Sequence, residues 1–260
     1  MSESIFEPAG EALYQPTEAA LSPWSDQALH GSVPAMLMAR EIERFPSEKP
    51  TFVARITIEL LRPVGRTLLA IKSRLVRPGR KVQLVEASLW NGEQEVARAT
   101  ALRIRRAEVD VPQALEAPPY GPPESLTPWS GGWHGGPAYH VLGVEIRVRG
   151  DLPRRQAPGW AWFRLRLPLV PGEEPSELIR VCAAADFPNG ISFVVDPRRT
   201  SFLNPDLTIY INRLPVDEWV LVDAHTWLEP HGAGLAEGAL YDRRGRIGRS
   251  LQGLIVEPRG

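Results

Sequence analysis

Asp186 is the residue whose position most invites a chemical explanation. It closes the apolar run Leu178–Ala185 (LIRVCAAA), four residues after Cys182, so the two share one helix face. A helix apolar on nearly all sides is buried. An acid at its C-terminus opposes the helix dipole, and burying it ionised costs several kcal/mol unless hydrogen bonds compensate. Such a carboxylate is either half buried or lines a cavity; the plainer reading is a surface acid at a helix end. Gln252 is the second candidate. On the last strand Gly248, Ser250 and Gln252 share one face. The small residues let a helix approach, whereas a buried amide needs a partner. If helix and strand meet there, amide and carboxylate converge and can hold one water between them, whose proton the carboxylate takes. The plainer reading of Gln252 is a satisfied core amide. Asn204 and Thr208 flank Asp206; either could supply a third hydrogen bond to that water, although Asn204-Pro205-Asp206 also reads as simple turn chemistry.

Other chemistries lack their residues. Histidines 30, 134, 140, 225 and 231 show no HxxxH spacing and there is no CxxC, so no metal site is expected. His231 reads as a turn residue in Glu229-Pro230-His231-Gly232. No GxSxG elbow marks a serine hydrolase. No P-loop or helix-opening GxGxxG offers a phosphate cradle, and nothing calls for a cofactor. Two basic clusters, Arg77–Lys81 and Arg103–Arg106, read as solvated edges, or alternatively as electrostatic contacts for an anionic carrier such as CoA.

Two sets of elements must position these residues. In the first, Pro34 near a helix start and apolar Met36, Leu37 and Met38 predict a helix over 31–44. Ile56, Ile58 and Leu60 then alternate with Arg55, Thr57 and Glu59, the period of a half-buried strand. Further strands are expected at 66–76, 81–91 and 95–105, with Asn91-Gly92 as a hairpin turn. In the second set, strands at 138–148 and 159–168 precede a helix at 175–186 that Pro188-Asn189-Gly190 stops. Strands at 205–213, 218–228, 234–242 and 246–256 follow. The sets look like copies. Sliding residue 57 onto 208, an offset of 151, puts Thr57-Ile58 on Thr208-Ile209, Arg62 on Arg213, Glu86 on Glu237, Leu89 on Leu240, Trp90 on Tyr241 and Arg98 on Arg249. Ala101 then stands opposite Gln252, which leaves one polar site, in the second copy. Residues 108–136, with six prolines between Pro112 and Pro128, read as a linker between domains at 1–107 and 137–260.

Composition agrees. With 260 residues, 43% apolar and 23% charged, the chain is an ordinary globular one. A net charge of -1 provides no broad field for nucleic acid or anionic lipid. Only three residues, Lys49, Lys72 and Lys81, are lysine, an Arg bias that fits a GC-rich genome. A single cysteine fits a reducing, cytoplasmic setting. No basic leader opens the sequence, and no apolar run is long enough to span a bilayer.

One buried helix followed by an antiparallel sheet, used twice, suggests an α+β protein of two fused hotdog domains, each a sheet wrapped around a central helix. The chain resembles the double-hotdog acyl-CoA thioesterases of the thioesterase II-like superfamily. The resemblance rests on the stretch from Thr51 to Arg103, with its RP turns and final ARA strand, on AAADFPNGISF, on NPDLTIYINRLPVDEW and on GRSLQGLIV. It implies an acyl-CoA substrate, a role in fatty acid metabolism and a homodimer or higher homo-oligomer. In the family an Asp, a Gln and a Ser or Thr hold the attacking water. These fall on Asp186, Gln252 and Asn204, the last an amide where the family has a hydroxyl, with Thr208 as its possible substitute on the substrate side. That departure leaves open a binding protein for acyl ligands that has lost turnover. A hotdog hydratase acting on enoyl-CoA would need a His beside the Asp, and the stretch after Asp186 offers none.

Overall fold

The computed structural model describes residues 3–23, 25–113, 115–129, 138–150 and 159–259. The first half holds strands β1 (Phe6–Gly10), β2 (Leu13–Pro16), β3 (Leu21–Ser22) and β4 (Ser25–Leu29), helix α1 (Ser32–Arg44), then β5 (Thr51–Glu59), β6 (Leu69–Arg77), β7 (Val82–Asn91) and β8 (Gln94–Arg105). The second holds β9 (Thr127–Pro128), α2 (Tyr139–Leu142), β10 (Val144–Val148), β11 (Gly159–Leu165), α3 (Glu177–Ala185) and α4 (Pro188–Ile191). It continues with β12 (Thr200–Leu203), β13 (Asp206–Ile211), β14 (Trp219–Leu228), β15 (Ala233–Asp242) and β16 (Gly245–Pro258).

Short connections force antiparallel neighbours. One sheet runs β1-β2-β6-β7-β8-β5-β13-β16-β15-β14-β11-β10-β9, with β12 paired to β16 off this path. Its inner face is the alternating apolar set that the period of two predicts: Ile56 and Ile58 on β5, Leu207, Ile209 and Ile211 on β13, Ala97, Ala99 and Ala101 on β8, all buried. The sheet encloses α1 and α3, which pack on one another. Ser32 donates to the Ala183 carbonyl across that contact at 3.1 Å. The partly buried pair of Arg40 with Glu173, at 2.6 and 2.7 Å, ties the halves together elsewhere. Among the described residues no helix is long and apolar enough to cross a membrane.

The halves obey the sequence offset at the level of register. Ala87 pairs with Ala99 on β7–β8, and Gly238 with Ser250 on β15–β16, each member 151 residues after its counterpart. Even the bulge repeats, at Leu89/Trp90 and at Leu240/Tyr241. β5 and β13 pair with each other, Thr57 opposite Thr208. A residue paired with its own counterpart lies on a pseudo-two-fold axis, so two copies of one hotdog meet there in a continuous sheet.

Four features differ from expectation. The strand expected at 138–148 begins as the helical turn α2, and β10 covers only its second part. Pro188 does not stop α3, which ends at Ala185; it opens α4, where its fixed φ suits the first turn. Residues 6–29, for which the sequence suggests nothing, supply four strands. Within 108–136 the stretch from Glu116 to Pro128 makes contacts with the second half: Tyr241 bonds Glu116, Tyr120 stacks on Trp160 at 3.9 Å, and Thr127–Pro128 pairs with β10. Residues 130–136, including His134, lie outside the described residues.

The offset fails between helix and sheet. Residues 45–50 connect α1 to β5, whereas 186–205 separate α3 from β13 and include α4 and β12. That longer connection carries Asp186 and Asn204.

Candidate active site

Asp186 is the C-terminal cap of α3 and is buried. Its Oδ1 accepts from Gln252 Nε2 at 2.8 Å and from Asn204 Nδ2 at 2.9 Å. The helix and the small-residue strand face therefore meet as their patterns require, and three of the four expected residues converge. Their bonding differs from the expectation in one respect. Both N–H groups of the Gln252 amide point at Asp186, the second onto its backbone carbonyl at 3.2 Å. Asn204 divides its Nδ2 between Asp186 and the Asp206 carbonyl, the latter at 3.0 Å. The amides thus orient the carboxylate rather than a water. Asp206 has a supporting role: it accepts from the Gly253 amide at 2.7 Å, which fixes the start of β13 and so the base of Asn204.

Thr208 does not join the cluster. It pairs with Leu251, so it shares the sheet face opposite to that of Gln252. Its Oγ1 meets Thr57 Oγ1 at 3.4 Å on the pseudo-dyad instead. A period of two allows no other outcome once Leu207 and Ile209 face inward.

The first half completes the site. His30, also buried, places Nδ1 at 3.2 Å from Asp186 Oδ2. Its ring packs against both Tyr139 and Phe187, centroids at 5.0 and 4.7 Å, and those two rings touch each other at 6.1 Å. Gly31 caps α1 with no side-chain hydrogen bond of its own, and a Cβ there would stand 2.5 Å from Asp186 Oδ2. The carboxylate therefore takes the place of a side chain at the N-terminus of α1. That answers the dipole objection: Asp186 sits badly on its own helix and well on the partner helix. A third unforeseen group is Asn189 on α4. Its amide N–H donates to Gln252 Oε1 at 3.2 Å, and its Nδ2 donates to Asn204 Oδ1 at 3.3 Å. Glycine before a buried helix and asparagine in a Pro-Asn-Gly run were visible signals, but both read locally as turn residues.

The electrostatics favour proton transfer. Burial pushes the Asp186 carboxyl up to about 7, although the hydrogen bonds from Asn204, Gln252 and the Ser32 amide pull the other way. Burial, with a smaller contribution from His140, lowers His30 to about 3, so its imidazole is neutral. The Ser32 amide lies 3.2 Å from His30 Nδ1. Because the Ser32 amide donates to Nδ1, that nitrogen is an acceptor, and the hydrogen of the His30–Asp186 contact is on the carboxyl, the form that burial favours. A carboxyl near neutrality, held by fixed donors, can take and return a proton. Among the described residues no group of His, Cys, Asp and Glu could hold a metal ion.

The comparisons agree with this architecture. A family model described as the acyl-CoA thioesterase N-terminal domain matches residues 20–104, and one described as the acyl-CoA thioesterase C-terminal domain matches residues 112–256. Among curated proteins none matches. A protein of Thermobifida fusca YX, provisionally assigned as a thioesterase II, superposes with a TM-score of 0.76 at 18% identity, covering 98% of this chain and 96% of that one. A hotdog-fold protein of unknown function from Alicyclobacillus acidocaldarius gives the same values, 0.76, 18%, 98% and 96%. An acyl-CoA thioesterase II of Mycobacterium marinum gives 0.66 at 15% identity, covering 98% and 95%. At such identities these structures establish the fold alone.

Proposed function

The chain belongs to the acyl-CoA thioesterase family, and from that premise we propose that it hydrolyses acyl-CoA thioesters to the free acid and CoA at Asp186. The observation that carries this reading is the buried carboxyl, raised to about 7, whose Oδ1 is held by two amides while Oδ2 faces His30 and the start of α1. Asp186 takes a proton from a water as it attacks the thioester carbonyl. The oxyanion needs backbone N–H donors; the Ser32 and Val33 amides at the start of α1 are already engaged by His30 Nδ1 and the His30 carbonyl. When the tetrahedral intermediate collapses, the carbon–sulfur bond breaks and the thiolate takes the proton back from Asp186. Gln252, Asn204 and Asn189 are positioning residues, and His30 holds the proton balance of the carboxyl. The substrate partner is acyl-CoA; a homo-oligomer, a cytoplasmic setting and a role in fatty acid metabolism belong to the same proposal.

One observation favours a second reading. The objection to an enoyl-CoA hydratase was the lack of a His near Asp186, and His30 removes it, coming from the other half of the chain. Incubation with a panel of saturated and enoyl acyl-CoAs separates the readings. Thiol release that disappears in Asp186→Asn supports hydrolysis. A change in enoyl absorbance without thiol supports hydration. Binding with neither leaves an acyl-ligand carrier.

A further inference from the structure

The pseudo-symmetry draws attention to the C-terminal end of α1, the counterpart of the end of α3 that carries Asp186. A cavity of about 390 Å³ opens there. It lies between residues 46–51 after the helix, the β6–β7 turn and the end of β8. In the second half the equivalent ground is filled. Ser192 bonds Thr226, the counterpart of cavity-lining Leu75, at 2.8 Å, and β12 pairs along the end of β16. The first half lacks that longer connection, so the space stays open.

Its lining is cationic. Lys49, Arg80, Lys81, Arg103 and Arg105 contribute five positive charges against the single acid Glu48. Two of the three lysines in the chain are here. The ion pairs of this half, Arg40 and Arg44 with Glu173, Arg74 with Glu86 and Arg98 with Glu95, use none of the five. Arg103 is buried, and its donors go to neutral oxygens: Thr51 Oγ1 at 2.9 Å and the Phe45 and Ile42 carbonyls at 2.9 and 3.3 Å. Burial lowers its proton affinity. A cation held this way is stabilised by an incoming anion. The turn that presents Arg80 and Lys81 folds tightly on itself at Gly79, where a Cβ would stand 2.2 Å from the Val82 carbonyl oxygen. Beside Arg103 across the β7–β8 ladder, Gln83 buries an Oε1 with no hydrogen-bond partner among the described residues. The occupant therefore has to bring a donor as well as negative charge.

We propose that this cavity binds a phosphorylated nucleoside, its phosphate held by Lys49, Lys81 and Arg103 and an O–H or N–H of its ribose or base donating to Gln83 Oε1. The size is within the range of small-molecule sites, roughly 300–1,000 Å³, and exceeds what a bare phosphate needs. Two sources share this chemistry: the nucleotide end of the CoA carrier, which rests on the hydrolase reading above, and a free nucleotide. The thirteen residues of α1, roughly 20 Å of helix, separate the cavity from Asp186.

The test is equilibrium binding of adenosine 3′,5′-bisphosphate to the full chain, read by calorimetry without turnover. Saturable, salt-sensitive binding is expected, tighter than that of inorganic phosphate. It should weaken by about tenfold or more in a Lys49→Gln/Lys81→Gln double variant, the scale of charge-assisted hydrogen bonds. Both lysines are exposed, so circular dichroism should show an unchanged fold. Gln83→Leu, which removes the orphaned acceptor, should weaken the bisphosphate and leave inorganic phosphate unchanged. Absence of saturable binding, or binding that the double variant leaves intact, overturns the proposal. Displacement of the bisphosphate by CoA assigns the cavity to the carrier, and lack of displacement assigns it to a free nucleotide; either supports the site. An inactive protein that still binds the bisphosphate removes the hydrolase reading alone, and an active one that does not removes this site alone.

Discussion

Replacing Asp186 by asparagine should make the protein more stable and much less active. The carboxyl stands at about 7 in the folded chain because it is buried, against about 3.9 in an unfolded one. Between those values the native state keeps a proton that the unfolded chain has lost. Stability therefore falls as pH rises through that window, and the loss is complete above roughly pH 8. At 1.36 kcal/mol per pH unit the full difference is of the order of 4 kcal/mol. Asparagine carries no such cost. Its Oδ1 still accepts from Gln252 and Asn204, and its Nδ2 can donate to His30 Nδ1; it loses only the acceptor facing the Ser32 amide. A gain of about 1–4 kcal/mol at pH 8 follows, or roughly 2–4 °C in Tm per kcal/mol for a chain this long. At pH 4, where the folded carboxyl is protonated and the unfolded one about half so, the gain should shrink to roughly 0.5 kcal/mol or less. Turnover should drop by about 100-fold or more, the scale of acid–base groups. Thermal unfolding at pH 4 and pH 8, beside thiol release from an acyl-CoA, measures both. A variant that is less stable than the parent at pH 8 would refute the reasoning. It would mean that the N-terminus of α1 stabilises the ionised carboxylate by more than burial costs it, and that Asp186 is a helix cap.

Thiol release should rise with pH on an acidic limb near 7, since Asp186 acts as a base only when ionised; a kcat/KM profile flat from pH 5 to 8 would contradict this. His30→Phe removes the Nδ1 acceptor that faces the protonated carboxyl and should move that limb downward while lowering turnover, and a limb that stays in place would show that His30 only packs. Gly31→Ala puts a methyl group 2.5 Å from Asp186 Oδ2 and should cost about 1–3 kcal/mol of stability and at least about tenfold in turnover, checked by denaturant unfolding and thiol release. Thr208→Val, on the outer face of the sheet, should leave turnover within about twofold of the parent, the result expected for a surface substitution away from the site.

Much of this arrangement is determined by the sequence alone. The repeat at an offset of 151 carries the register, the hairpins and a repeated bulge, because strand pairing depends on alternation and turn residues that are local. The convergence of Asp186 and Gln252 could also be read, since an acid ending an apolar helix and an amide on a small-residue strand face are each anomalies that burial makes costly. Thr208 was misplaced because its apparent fitness rested on residue type, while the face it occupies is settled by which neighbours point inward. His30, Gly31 and Asn189 are not legible as site residues. Each looks like ordinary turn or cap chemistry until the pseudo-dyad brings the N-terminus of α1 to the C-terminus of α3. The proton affinity of Asp186 was equally out of reach, because desolvation depends on everything packed around a group and no linear pattern records it.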